Sequence, residues 1–370
     1  MIFALLLLVL SGLKTTAAAQ TVGVCYGRVA KNLPPAQEVI DICKENGIGR
    51  MRIYEPDPLT IQALRGSNIE LLVGVPNEQI HSLSVEAIAT DWVQNNIQNH
   101  SRDVKFRYIV VGNEIKPDET TAQFVLPAMQ NIYAALVSAN LQSQIKVSTA
   151  IELSLLGSSY PPSVGAFTPS SCAYMKSIVN FLVKNGAPLL VNVYTYFSYI
   201  GDPKNISLSY ALFTSPTVVV KDGGYEYKNL FDASLGALYA GLEKVGASDL
   251  EIVVSESGWP SSGGIGASED NAQVYYKNLI NHVVGGTPKR PNHAVETYLF
   301  AMFDEDQKGI AETKRNFGLF TPNKQPKYRI QFTNSPHRDE GFSPRVTGEG
   351  IFFLSFFILL VVLLIVRLIS

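Results

Sequence analysis

From about residue 21 to 330, short apolar runs alternate with longer stretches of helical spacing. The runs at 21–26, 50–54, 70–75, 105–112, 146–151, 189–196, 251–256 and 296–303 are mostly rich in Val and Ile and lack clean polar alternation. A strand covered on both faces reads this way, because neither set of its side chains meets water. The segments 34–46, 84–99, 123–141, 173–185, 230–245 and 268–284 repeat apolar residues three and four apart, as amphipathic helices do. Pro34-Pro35, Ser84 and Ser268 are suited to open helices, with Glu86 and Glu269 following the two serines. Eight strands separated by helices, over about 300 residues, predict an α/β fold closed as a (β/α)8 TIM barrel.

A doubly wound open sheet is the competing arrangement. It would carry a glycine-rich phosphate turn after its first strand, whereas Gly23 and Gly27 merely bracket that strand. Gly263-Gly264-Ile265-Gly266 reads as a loop. The stretch 197–229, rich in Gly, Pro, Asn and aromatic residues, has no helical period. It is predicted to be a small excursion after the sixth strand, flanking the active face. With no internal repeat or second domain, the catalytic barrel is placed at 20–332.

Both ends read as processing segments. Residues 2–10 are almost wholly apolar and Ala17-Ala18-Ala19 precedes Gln20, the pattern of a signal peptide over residues 1–19. At the other end a polar spacer, 333–350, leads into the hydrophobic tail 351–370, apolar from Ile351 to Val366. As a helix that apolar run rises only ~24 Å, short of a ~30 Å hydrocarbon core. Small residues in the spacer (Ser335, Gly341, Ser343, beside Asn334) favour a lipid (GPI) anchor signal. The alternative is a short membrane span with Arg367 at the far interface. Either end-point takes the chain through the secretory pathway to the extracellular face of the plasma membrane or the cell wall. The expected state is a monomer associated with the membrane by its tail or a lipid.

Charge narrows the partners. The formal net charge is −2, with charged residues at 17% of the chain. That balance excludes the basic footprint of nucleic-acid binding and suits a neutral partner such as a sugar. Three cysteines (Cys25, Cys43, Cys172) make no disulfide framework, since an odd count leaves a thiol over. Asn99-His100-Ser101 and Asn205-Ile206-Ser207 are glycosylation acceptors in a secreted chain, at Asn99 and Asn205.

Two acidic residues stand where barrel strands end and catalytic loops begin. Glu114 ends Tyr108-Ile109-Val110-Val111-Gly112-Asn113-Glu114, and Glu256 ends Ile252-Val253-Val254-Ser255-Glu256. They belong to the fourth and seventh strands, on opposite sides of the mouth. Cleaving a glycosidic bond needs one carboxyl to protonate the leaving oxygen and another to attack the anomeric carbon or activate water. At ~5 Å and an effective dielectric of ~20, two such charges repel by roughly 3 kcal/mol, about two pKa units. That repulsion keeps one of them protonated.

The runs Val-Gly-Asn-Glu (111–114) and Val-Val-Ser-Glu-Ser-Gly-Trp-Pro (253–260) closely resemble those of glycoside hydrolase family 17, the plant endo-1,3-β-glucanases. Val-Gly-Val-Cys-Tyr-Gly (22–27), Met-Arg-Ile-Tyr (51–54), Phe-Ala-Met-Phe-Asp-Glu (300–305) and Asn-Phe-Gly-Leu-Phe (316–320) agree, in the same order. The resemblance implies retaining hydrolysis of 1,3-β-glucan, with Glu256 as nucleophile, Glu114 as general acid/base, and no cofactor. It gives Asn113 the sugar 2-hydroxyl, and supporting positions to Glu305 and Lys308, the latter either helping to hold Glu256 ionised or making a structural ion pair. Asp304-Glu305-Asp306 lacks the spaced ligands of a calcium loop, so no metal is expected.

Tyr26, Tyr54, Tyr194, Tyr196, Phe197, Trp259 and Phe303 lie at or near strand ends and, with Asn192, are candidate sugar-binding residues. The resemblance singles out Tyr54 and Tyr194 as facing substrate. Two positions depart from the family pattern: Thr195 where proline is usual, expected to loosen the local turn, and Lys314 where glutamate is common, expected to change the cleft's charge. Two rival activities keep the same residues: a glucan transglycosylase, and a cell-surface glucan-binding protein with little turnover.

Overall fold

In the computed structural model of the chain, residues 21–332 are described; the readings at 1–19, 333–350 and 351–370 lie outside them. Eight parallel strands close into a barrel: β1 Val22–Tyr26, β2 Arg50–Ile53, β3 Glu70–Val75, β4 Lys105–Asn113, β5 Lys146–Glu152, β6 Leu189–Asn192, β7 Ile252–Ser257 and β8 Thr297–Leu299. Neighbours pair in sequence order and β8 closes onto β1, with Val22 opposite Thr297. The predicted TIM barrel is therefore present.

Two apolar layers explain why the strands show no polar alternation. Along β4, Ile109 and Val111 join the strand–helix core, while Tyr108 and Val110 join a separate cluster inside the barrel with Leu72, Leu190 and Val253. Successive side chains go to opposite faces, and here both faces are dry.

The main helices are α1 Ala36–Glu45, α2 Pro58–Leu64, α3 Glu86–Val93, α4 Ala122–Ser138, α5 Pro169–Asn185, α6 Leu230–Lys244 and α7 Glu269–His282. Ser268 caps α7 by accepting from Asn271 N–H, as its position predicts. Ser84 instead closes a short helix, Ile80–Leu83, and α3 begins after Val85. Helix α2 has no counterpart among the predicted segments. Seven residues hold too few turns to display a period, and its signal is the cap, where Asp57 accepts from Thr60 N–H at 2.8 Å.

Two strands are shorter than their apolar runs. The sixth stops at Asn192 because a helix, Thr195–Gly201, starts three residues later. The eighth stops at Leu299, and the chain beyond it docks on another segment: Ala301 N–H donates to Phe317 O and Leu319 N–H to Ala301 O. The excursion after β6 is present and holds more order than its composition suggests. It contains that helix, a turn of helix at Leu208–Ala211, and a hairpin pairing Val220–Asp222 with Tyr225–Tyr227.

Candidate active site

The two strands bearing the glutamates break register just before them. The β4–β5 ladder slips between Val110 and Asn113, and β7 slips against both neighbours after Val254. Such bulges re-aim side chains beside active sites. Glu114 itself has φ 57°, left-handed for a residue with a Cβ, and its N–H is held by Ala150 O at 2.9 Å. Asn77 braces the preceding residue from both sides: Asn113 N–H donates to Asn77 Oδ1 and Asn77 Nδ2 to Asn113 O, each at 2.9 Å. A left-handed residue costs on the order of 1 kcal/mol, sustained here because the neighbouring bonds leave no alternative.

Arg52 organises the centre. It is 1% exposed, and an unpaired buried charge would be prohibitive. Its Nη1 lies 3.0 Å from Glu256 Oε1 and also donates to Ser255 O and Asn192 Oδ1, while Nη2 donates to Asn113 Oδ1 at 2.7 Å. Tyr54 donates to Glu256 Oε1 at 2.8 Å and Tyr194 to Oε2 at 2.6 Å. Burial foremost, together with the charge of Glu256, pushes both phenols well above their ordinary value, so both keep their protons. Three donors thus converge on a group that, when ionised, only accepts.

Glu114 meets the opposite conditions. Burial raises its pKa first and the charge of Glu256 second, against a smaller lowering by the bond from Asn192 Nδ2 to its Oε1 at 2.8 Å. Asn192 links the pair, since its Oδ1 receives Arg52 and Ser255 while its Nδ2 serves Asn113 and Glu114.

Both glutamates line one cleft of ≈ 930 Å³ at this end of the barrel, with Tyr26, Tyr54, Asn113, Asn192, Tyr194, Phe197, Glu305, Lys308 and Lys314. Lys308 pairs with Glu305 at 2.8 Å and sits over the Phe300 ring at 4.2 Å; Glu256 takes its positive partner from Arg52 instead. Gly27 allows this, because a Cβ there would fall 2.3 Å from Glu305 Oε1. Glu305 also accepts from Val29 N–H.

Three aromatic candidates do not face the cleft. Tyr196 and Trp259 are wholly buried and meet edge to face, with Trp259 Nε1 donating to Gly266 O. Phe303 is 1% exposed and packs on Tyr26 and Phe320. Each follows a strand end, but the chain has already turned into the core. Thr195 does not loosen its turn: it is buried and its hydroxyl donates to Ala211 O, tying the excursion's two short helices together. Lys314 is exposed on the cleft wall. Asn99 and Asn205 are exposed, and all three cysteines are free thiols.

Arg52, Asn77, Phe300 and Phe317 were not among the predicted site residues. The signal for Arg52 is a charge in the middle of Met-Arg-Ile, where a barrel strand tolerates it only with partners. Nothing local marks Asn77, whose role depends on contact with a residue 36 positions away.

A sequence model described as "Glycosyl hydrolases family 17" matches residues 22–332. The chain belongs to that family. Among the relatives of this family 17 hydrolase is a glucan endo-1,3-beta-glucosidase of Vitis vinifera, 59% identical over 322 residues, covering 86% of this chain and 93% of the relative. A basic vacuolar isoform of glucan endo-1,3-beta-glucosidase from Nicotiana plumbaginifolia is 51% identical over 88% of this chain and 90% of its own length. Among solved structures, CJP38, a beta-1,3-glucanase and pollen allergen of Cryptomeria japonica, superposes with a TM-score of 0.83 at 44% identity. That match covers 85% of this chain and 100% of the other.

Proposed function

We propose that this chain is a retaining endo-hydrolase of 1,3-β-D-glucosidic linkages, acting through Glu256 and Glu114. The observation that carries the reading is the contrast between these two carboxyls in one cleft, one surrounded by three donors and the other pushed by burial and its neighbour's charge to hold a proton. Glu256 attacks the anomeric carbon while Glu114 gives its proton to the departing oxygen, leaving a glycosyl ester on Glu256. Glu114, now ionised, takes a proton from water, whose oxygen displaces Glu256 and restores both groups. Oε2 of Glu256, bonded among the described residues by Tyr194 alone, keeps a lone pair for the attack. Asn113 accepts two bonds at its Oδ1, which directs its Nδ2 to the cleft as a donor for the sugar 2-hydroxyl.

The linkage comes from the relatives' names, glucan endo-1,3-beta-glucosidases across several plants. Incubation of the purified chain with linear 1,3-β-glucan, followed by sizing and NMR of the new reducing ends, tests the reading. Shorter oligosaccharides born as β-anomers are expected. First-formed α-anomers would refute retention, products longer than the substrate would make it a transglycosylase, and tight binding without products a lectin-like protein.

The isoforms named vacuolar support entry into the secretory pathway. The apolar stretch 351–366 after a polar spacer supports a lipid anchor at the outer face of the plasma membrane. Among the described residues no helix is long and apolar enough to cross a membrane. Release of the protein from cells by a phosphatidylinositol-specific phospholipase would support the anchor, and retention would favour a span.

A further inference from the structure

Exposed aromatic rings are rare on this molecule and they are not scattered. Among the described residues, only Tyr160 (76%), Phe197 (41%) and Tyr225 (36%) are aromatic and more than a third exposed. Phe197 lines the catalytic cleft. The other two lie outside it, on two loops that the Ser163–Asp222 bonds join into one ledge. Tyr160 lies in the β5–α5 connection, a short run beyond Ser154 at the cleft edge, and Tyr225 lies in the hairpin of the excursion after β6.

The ledge is built rigidly. Tyr225 stands directly across from Asp222 in the hairpin, and Asp222 takes two bonds from Ser163, from its N–H at 2.6 Å and its hydroxyl at 2.7 Å. Next to Tyr225, Tyr227 is buried with Tyr210, Val220 and Ala233, its ring 6.5 Å from that of Tyr225. The Tyr160 loop is pinned as well: Gly165 lies so close to Ala237 of α6 that a Cβ would overlap its carbonyl, and Lys244 donates to Val164 O. Val164 and Val219 add exposed apolar surface nearby. Its charges balance, with Lys221 2.9 Å from Glu226 and the hairpin's other two charges, Asp222 and Lys228, of opposite sign. What remains for a ligand is ring faces, phenol hydroxyls and no net charge. That combination fits the apolar face and hydroxyl rim of a neutral sugar chain.

We propose that Tyr160 and Tyr225 form a second, non-catalytic β-glucan-binding site that holds a stretch of polymer beside the cleft. The proposal rests on the glucanase reading above, since the occupant is that enzyme's own substrate. Holding one polymer at two places raises the effective concentration of chain at the cleft, which matters for long or insoluble glucan and not for short oligosaccharides.

The test is the full chain with Tyr160→Ala and Tyr225→Ala combined, and Tyr160→Ala alone as the variant least able to disturb folding. Hydrolysis of a 1,3-β-glucohexaose should stay within about twofold of the parent, while hydrolysis of insoluble linear 1,3-β-glucan falls about three- to tenfold, the worth of a stacked ring or two. In a Glu256→Ala background, sedimentation with insoluble 1,3-β-glucan should weaken by the same factor. That binding assay reads the ledge even where turnover is absent, so its outcome is separate from that of the catalytic assignment. Unchanged binding and unchanged polymer hydrolysis would overturn the proposal. So would an equal loss on hexaose and polymer, which would place the effect in the cleft.

Discussion

The barrel carries a charge cluster at each end, buried at the mouth and partly exposed at the floor, and strand β2 contributes to both through Arg50 and Arg52, two residues apart on the same face. At the floor, Arg50 and Arg107 face Glu70 and Glu296. Arg50 Nε lies 2.8 Å from Glu70, Arg107 Nη2 lies 2.7 Å from Glu296, and Tyr108 and Tyr298 donate to Glu296 as well. Two positive charges meet two negative ones, and nothing is left over. At the mouth, among the described residues, Arg52 is the one cation bonded to Glu256 and the two asparagines, and Glu114 receives only the neutral amide of Asn192. With positive charge short, burial and then the charge of Glu256 push the Glu114 pKa upward. A balanced cluster supports the fold, and an unbalanced one is prepared to move a proton.

Four substitutions break or sharpen this contrast. The largest effect is expected from Glu256→Ala, which removes the attacking group: turnover of 1,3-β-glucan should fall by about three orders of magnitude or more, with the melting temperature nearly kept. Normal turnover by that protein would end the assignment. Arg52→Lys keeps the charge but loses the fork that reaches Asn113, Asn192 and Glu256 together. Its kcat should fall about a hundredfold and its unfolding free energy by ~2 kcal/mol, read by kinetics and denaturant titration.

Glu114→Gln should slow hydrolysis of glucan by about a hundredfold and that of an aryl glucoside with a good leaving group much less. The same variant tests the proton. Glu114's pKa is raised in the folded chain, so above the ordinary glutamate range the folded state binds more protons than the unfolded one. The group's contribution to stability is complete at lower pH and is lost as pH rises through its folded value. Glu114→Gln should flatten that decline in thermal melts, and an unchanged slope would contradict the raised pKa. Smallest for activity is Glu296→Gln at the floor, where kcat/KM should stay within about twofold. The cost appears as ~1–3 kcal/mol of stability, because Arg107 and Arg50 lose part of their counter-charge. A large rate loss there would show that the two ends are coupled.

The eight strands were legible because each is a local property, a short Val- and Ile-rich run that neither face allows to be polar. Glu114 and Glu256 were legible too, since a carboxyl closing such a run is conspicuous, and the motifs around them match family 17 along the barrel. Sequence position alone misplaced Tyr196, Trp259 and Phe303, for lying beyond a strand end does not say which way the chain then bends. Of the two roles open to Lys308, the fold gives the ion pair with Glu305, and it supplies Glu256 with Arg52 from three strands away around the closed barrel.

The order of residues by itself determined the architecture, the two acidic groups and the class of chemistry, all of which depend on patterns within ten or so neighbours. Only the closed barrel decided which carboxyl meets Arg52 and which has its pKa raised by burial and a neighbouring charge. Charge acts through space and falls off with distance and with water, so a pKa is set by whatever tertiary packing brings within a few ångströms.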